Sequence, residues 1–179
     1  MNYLALLNGA IITDMVIIVM TVFGLIQSKS LKKWYNNFSL GAIMSDVFSI
    51  MFVIILAHFI YPYIFKEFKL INFIILAVAI QLIHDISFGI ILKYIPEGSS
   101  NIFDTFKEYV SEHGFKILAV DAAMIISTIL ISTYLSNKST REVFNFPVRF
   151  SNSVGERTDI NIFTLVTCLY LLPYFLYSI

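Results

Sequence analysis

Five stretches of the chain are apolar almost without interruption: residues 4–26, 40–65, 70–95, 115–135 and 160–179. Each reaches the roughly 17–25 residues that a helix needs to cross the hydrocarbon of a bilayer. Polar segments separate them, which is the pattern of successive spans and not of one large soluble core. It predicts an all-α, polytopic transmembrane bundle of five spans, a single domain over residues 1–179. Pro62 and Pro173 fall inside the second and fifth blocks, where membrane helices tolerate a kink. The fifth block, with Tyr and Pro among its apolar residues, is the weakest of the five. The first starts without basic residues and carries Asp14 near its middle, so it reads as a retained span and not as a cleaved signal.

The connections differ in kind. Residues 27–39 carry Lys29, Lys32 and Lys33 beside Trp34 and Tyr35, an interfacial pair of the sort that borders a membrane. Residues 96–100, Pro-Glu-Gly-Ser-Ser, break the chain, and Asn101 with Asp104 three positions on reads as a capping box. Ile102, Phe103, Phe106, Tyr109 and Val110 then recur at helical spacing among charged residues, with Gly114 as the stop. The pattern predicts a short amphipathic interfacial helix over 101–114, with Phe103, Phe106 and Tyr109 on its apolar face. Residues 65–69 are so short a link that the second and third spans must be antiparallel neighbours. The polar loop 136–159, with Phe144, Phe146 and Phe150 around Pro147, is a candidate partner-binding segment.

Composition agrees with the pattern. Hydrophobic residues make up 58% of the chain and charged residues 13%, with a mean hydropathy of +0.82. An ordinary soluble domain has roughly 45–50% and about 25%. The implied partner is the lipid bilayer. A net charge of zero argues against a nucleic-acid binder held by phosphate contacts. The single cysteine, Cys168, leaves no internal disulfide, CxxC pair or cysteine-based zinc site. No motif points to a cofactor or to a catalytic nucleophile. Call side X the one reached after the first span. Six Lys/Arg fall on each side for five spans, so charge does not set the orientation.

What composition does not explain is the acids. Asp14, Asp46, Asp85 and Asp121 lie inside apolar blocks, and an acid at membrane depth is costly enough to mark a role. Each of the last three shares its block with rows of small or polar residues. These are Gly41, Ser45 and Ser49; Ala77, Gln81, Asp85 and Gly89 with His84 one step round; and Ala119, Ala123 and Ser127. Small residues at every fourth position let membrane helices approach closely, which places the acids inside the bundle. At ~1.5 Å per residue, Asp46 and Asp121 lie roughly 9 Å below the X border and Asp85 about 15 Å, with Asp14 near the midplane. The expectation is an intramembrane polar cluster of Asp46, Gln81, His84, Asp85 and Asp121, with Asp14 less firmly joined. His58 stands apart near the other end of the second span. Without a buried Lys or Arg, such acids must be protonated, pair with histidine, hydrogen-bond to neighbours or hold a cation. No HExxH or ExxH spacing supports a metal site.

Lys32-Lys33-Trp34-Tyr35, Asp46, the run Ile80-Gln81-Leu82-Ile83-His84-Asp85, the run Asp104-Thr105-Phe106-Lys107-Glu108-Tyr109, and Asp121 together resemble small multi-pass membrane proteins encoded by large DNA viruses of algae and protists. The resemblance covers roughly residues 30–135. It implies a setting, the internal lipid membrane of a virion, with capsid or other membrane proteins as partners, and no activity. Two readings follow. One is a structural or interaction protein of a viral membrane, its polar cluster fastening the helices. The other is a proton- or cation-coupled transporter or channel that uses Asp46, Asp85, Asp121 and His84.

Overall fold

The computed structural model describes residues 2–137 together with Asn161, Ile162, Thr164, Leu165 and Cys168. Among these residues every regular element is an α-helix. The first, α1 (Tyr3–Val22), is capped by Asn2, whose side chain accepts from the Ala5 amide. Then follow α2 (Lys29–Phe38), α3 (Leu40–Ile64), α4 (Leu70–Tyr94), α5 (Asn101–His113) and α6 (Lys116–Asn137). Four of them, α1, α3, α4 and α6, are long and apolar enough to cross a membrane. They match the first four apolar blocks. Of the fifth block the five residues from Asn161 to Cys168 named above are described, all helical, and the rest of it, Pro173 included, lies outside the described residues. So does the polar loop 136–159 beyond its first two positions.

The helices pack as a bundle around α1, which touches α6 along one side and α3 along another, while α4 closes against α3 and α6. The α1–α6 seam is the closest. Gly9 faces the α6 backbone so directly that a Cβ there would lie 2.9 Å from the Thr128 carbonyl oxygen. Thr13 and Thr128 bond across the same seam at 3.1 Å. By contrast, α3 and α4 turn Phe48, Phe52, Phe59, Ile75, Ile83 and Ile90 outward. Apolar surface on this scale suits lipid contact and not water. Tyr61 ties down the short 65–69 link: its hydroxyl donates to the Glu67 carbonyl at 3.0 Å and accepts from the Lys69 amide at 2.9 Å.

The two short helices meet each other at one end of the bundle. Residues 27–39, read from sequence as a polar border loop, are mostly helical. Ser28 is the N-cap of α2, its hydroxyl accepting from the Leu31 amide at 3.0 Å. Helix α5 begins one residue earlier in its cap than the sequence suggested. Ser100 is the N-cap, and Asp104 reaches back to accept from the Gly98 amide with both oxygens at 3.1 Å. Gly114 ends α5 at φ 55°, a conformation that favours glycine.

Glu112 joins α5 to α2. Its carboxylate accepts from the backbone amides of Lys29 and Ser30, each at 2.8 Å, and from the Ser30 hydroxyl. An anion at a helix N-terminus meets unpaired N–H groups and the positive end of the dipole. The Ser30 bonds are the main reason that this carboxyl, ordinarily near 4.5, is held at about 2. Lys33 adds an exposed ion pair to Glu108 at 2.6 Å.

Candidate functional site: an acidic vestibule

The side chains of α2 reach inward. Trp34 and Tyr35 are 5% and 1% exposed, so the pair assigned from sequence to the membrane border sits inside the bundle. The Tyr35 hydroxyl lies 3.0 Å from Asp14 Oδ1 and 3.4 Å from Asp46 Oδ2. Trp34 Nε1 donates to the same Asp46 oxygen at 3.1 Å. Burial, and then the two carboxyls, push the Tyr35 phenol well above its ordinary range, so it remains a neutral donor. Asp14, fully enclosed in α1, is therefore met by a side chain from α2. The structure pins two acids from two spanning helices to one short helix.

Beyond this knot lies a cavity of about 410 Å³. Its wall takes Ser45, Asp46 and Ser49 from α3, Gln81, His84, Asp85 and Gly89 from α4, and Asp121 from α6. Trp34 and Tyr35 form part of it, and α5 covers it with Phe106 and Tyr109. Five of the six residues expected in the polar cluster thus share one cavity, while Asp14 lies behind Tyr35. His58 is exposed elsewhere, beside a smaller cleft.

On α4 the spacing of four brings Gln81 Nε2 to 2.6 Å from Asp85 Oδ1, and His84 Nδ1 approaches the same oxygen at 3.1 Å. With its proton on Nδ1, His84 donates to the carboxylate. Asp121 lies within electrostatic reach of Asp85, Asp46 and His84. Lys116 is the cationic side chain other than histidine on the wall. The Asp121 carboxyl is also within hydrogen-bond reach of Asp85, and among the described residues Gln81 Oε1, Asp14 Oδ2 and His113 Nε2 are enclosed without a partner. No three His, Cys, Asp or Glu side chains among the described residues converge as metal ligands.

The small-residue rows divide. Ala77 is fully buried at a helix contact. Gly41 is exposed and Gly89 borders the cavity, and a Cβ at either would meet nothing within 4 Å. Ser45 and Ser49 face the cavity, and Ala119, Ala123 and Ser127 are exposed. Phe103 is half-buried. Phe106 is also half-buried, packed between a tilted Trp34 ring at 4.7 Å and an edge-on Phe88 ring at 5.2 Å. Tyr109 packs against His113 at 5.0 Å, and burial pushes its phenol above the ordinary range.

Three participants escaped the sequence reading. Gly9 makes the tightest helix contact, and the signal was present: Ala5, Gly9 and Thr13 recur every fourth residue. Asn8, fully buried, donates to the Asn161 carbonyl oxygen at 2.6 Å. Glu112 had no local signal, because its partners lie more than 80 positions away. No family model matches the chain, and neither a curated protein nor a solved structure matches it.

Proposed function

We propose that this is a multi-pass membrane protein that takes up cations, protons among them, in the acidic vestibule on side X, as a small transporter or channel. One observation carries the reading: Asp46, Asp85 and Asp121, from three different spanning helices, face a shared cavity and not closed helix seams. A role limited to fastening calls for a dry, filled interior, whereas ionisable groups lining an intramembrane cavity are the arrangement used for ion and proton pathways. His84 beside Asp85 supplies an imidazole, a side chain that can both accept and donate a proton. In this reading α2 and α5 lie at the membrane border over the vestibule, α5 as an amphipathic interfacial helix. A fifth span would come from residues 160–179.

The test is flux into proteoliposomes under an imposed proton, Na⁺ or K⁺ gradient across about pH 5–8. Asp85→Asn is expected to abolish flux while the protein still inserts. Absence of any flux from the wild-type protein sinks the reading.

A second reading draws on the Trp34–Tyr35 knot: a structural protein of a viral membrane, its acids fastening helices and its polar end, with Lys29, Lys32, Lys33 and Glu108 exposed, meeting capsid proteins. It predicts that Asp85→Asn leaves function intact and that the protein is present in purified virions in cross-linkable contact with capsid. Its absence from virions removes that reading.

A further inference from the structure

The cleft beside His58 is a second cavity, of about 370 Å³, at the end of the bundle away from α5. Among the described residues its wall takes Leu6 from α1, Ile54 and His58 from α3, Phe73 from α4, and Ser132 and Ser136 from α6. The vestibule draws on the same four helices, through Ile17, Ile50, Gln81 and Met124 among others. On α3 the last vestibule residue, Ile50, and the first cleft residue, Ile54, are one turn apart, about 6 Å along the axis. On α4, Ala77 lies four positions from Phe73 in the cleft and four from Gln81 in the vestibule. What stands between the cavities is apolar and closed. Val53, Ala77 and Ile125 are fully buried and belong to one core with Ile50, Ile54 and Ile129.

The cleft also has a preference of charge. The hydroxyls of Ser132, Thr133 and Ser136 line it and donate to the Thr128, Ile129 and Ser132 carbonyls of their own helix. Their protons are thus engaged while their oxygens keep lone pairs, which suits a cation and not an anion. The vestibule, with its three aspartates, has the same preference.

We propose that vestibule and cleft are the two mouths of one path for small cations through the centre of α1, α3, α4 and α6, closed by an apolar gate one helical turn thick at Ile50, Val53, Ile54, Ala77 and Ile125. The inference deepens the cation-uptake reading and rests on it for the membrane and for the charge of what passes. An apolar constriction stops ions by excluding water, so a polar side chain placed in it opens it.

The experiment uses the full chain with Cys168→Ser in proteoliposomes of one orientation, carrying Ser49→Cys in the vestibule or Ser136→Cys in the cleft. Ag⁺, a small thiol-reactive cation, is applied to one face at a time, and protection of the thiol from later maleimide labelling is measured. With Ile54 in place, Ser49→Cys should be protected from side X alone and Ser136→Cys from the opposite face alone. Any other pattern overturns the inference. Ile54→Ser is expected to raise cation flux, and the rate at which each thiol is protected from its far face, at least about tenfold. Phe52→Ser, on the outward face of the same helix, should raise neither. An Ile54→Ser protein that inserts, keeps near-face protection and gains nothing from the far face overturns the gate. Ile50→Ser, one turn away, replaces it where Ile54→Ser fails to insert. Far-face protection in Ile54→Ser without wild-type flux removes the transport reading and keeps the path. Wild-type flux that neither serine variant raises keeps the transport reading and removes this path.

Discussion

Asp14 and Asp85 are both carboxylates within long apolar helices, and their surroundings are opposite. Asp14 is fully buried in α1, with Tyr35 filling the space in front of it and bonding to it at 3.0 Å. Asp85 borders a cavity, engages Gln81 and His84 through Oδ1 and lies within hydrogen-bond reach of the Asp121 carboxyl, whereas the second oxygen of Asp14 is enclosed without a partner. The same contrast holds for glycine. Gly9 is pressed against α6, and Gly89 has open space where a side chain would go. On the packed side of the bundle polar groups bond across helix contacts, and on the open side they border a cavity. An intramembrane acid therefore has no single meaning. What differs is whether the acid is enclosed between packed helices or borders a cavity.

The largest effect should come from glycine. Gly9→Ala forces the α1 and α6 backbones apart and is expected to cost roughly 1–3 kcal/mol in reversible unfolding from detergent micelles. Gly89→Ala should instead be neutral or stabilise by up to about 1 kcal/mol through helix propensity. Equal destabilisation by both would erase the contrast between the two sides. Next is Tyr35→Phe, which leaves Asp14 enclosed without its donor. We expect a loss of about 1–3 kcal/mol, against a much smaller change in stability for Asp85→Asn. Comparable losses for the two would mean that Asp85 is a fastener too.

The clamp between α5 and α2 gives a pH prediction. Glu112 titrates at about 2 when folded against 4.5 ordinarily, so its contribution is complete above pH 4.5 and is lost as pH falls through about 2. The protection factors of the Lys29 and Ser30 amides, taken against the intrinsic exchange rate at each pH, should hold at pH 4 and collapse near pH 2, and Glu112→Gln should remove both at neutral pH. Protection lost well above pH 4.5 would assign the clamp to some other group. The smallest effect belongs to Lys33→Ala. That ion pair is about half exposed on both sides and should contribute under about 1 kcal/mol, falling further with added salt.

Much of this organisation is legible from hydropathy alone, because four runs of more than 18 apolar residues leave few alternatives. The helix at Asn101–His113 and its glycine stop are equally local signals. Helix α2 is different. Leu31, Trp34, Tyr35 and Phe38 do recur at helical spacing, but three lysines among them give the segment the look of a membrane border. Its true partners, Asp14 and Asp46, lie in other helices, and no local pattern names them. Small-residue rows mislead for a related reason. They permit close approach without compelling it, and beside a cavity, as at Gly89 and Ser45, nothing approaches.

The lashing of α2 to α5 has a consequence for the order of assembly. When the first three helices have left the ribosome, Tyr35 can already find Asp14 and Asp46, since all lie within 33 positions of one another. The amides of Lys29 and Ser30 have to wait for Glu112, more than 80 residues further on. The nascent bundle thus closes its deep polar knot early and its outer collar late. A chain halted near residue 100 should carry a seated Tyr35 and a frayed start to α2, and the vestibule acquires its cover only when α5 has been made.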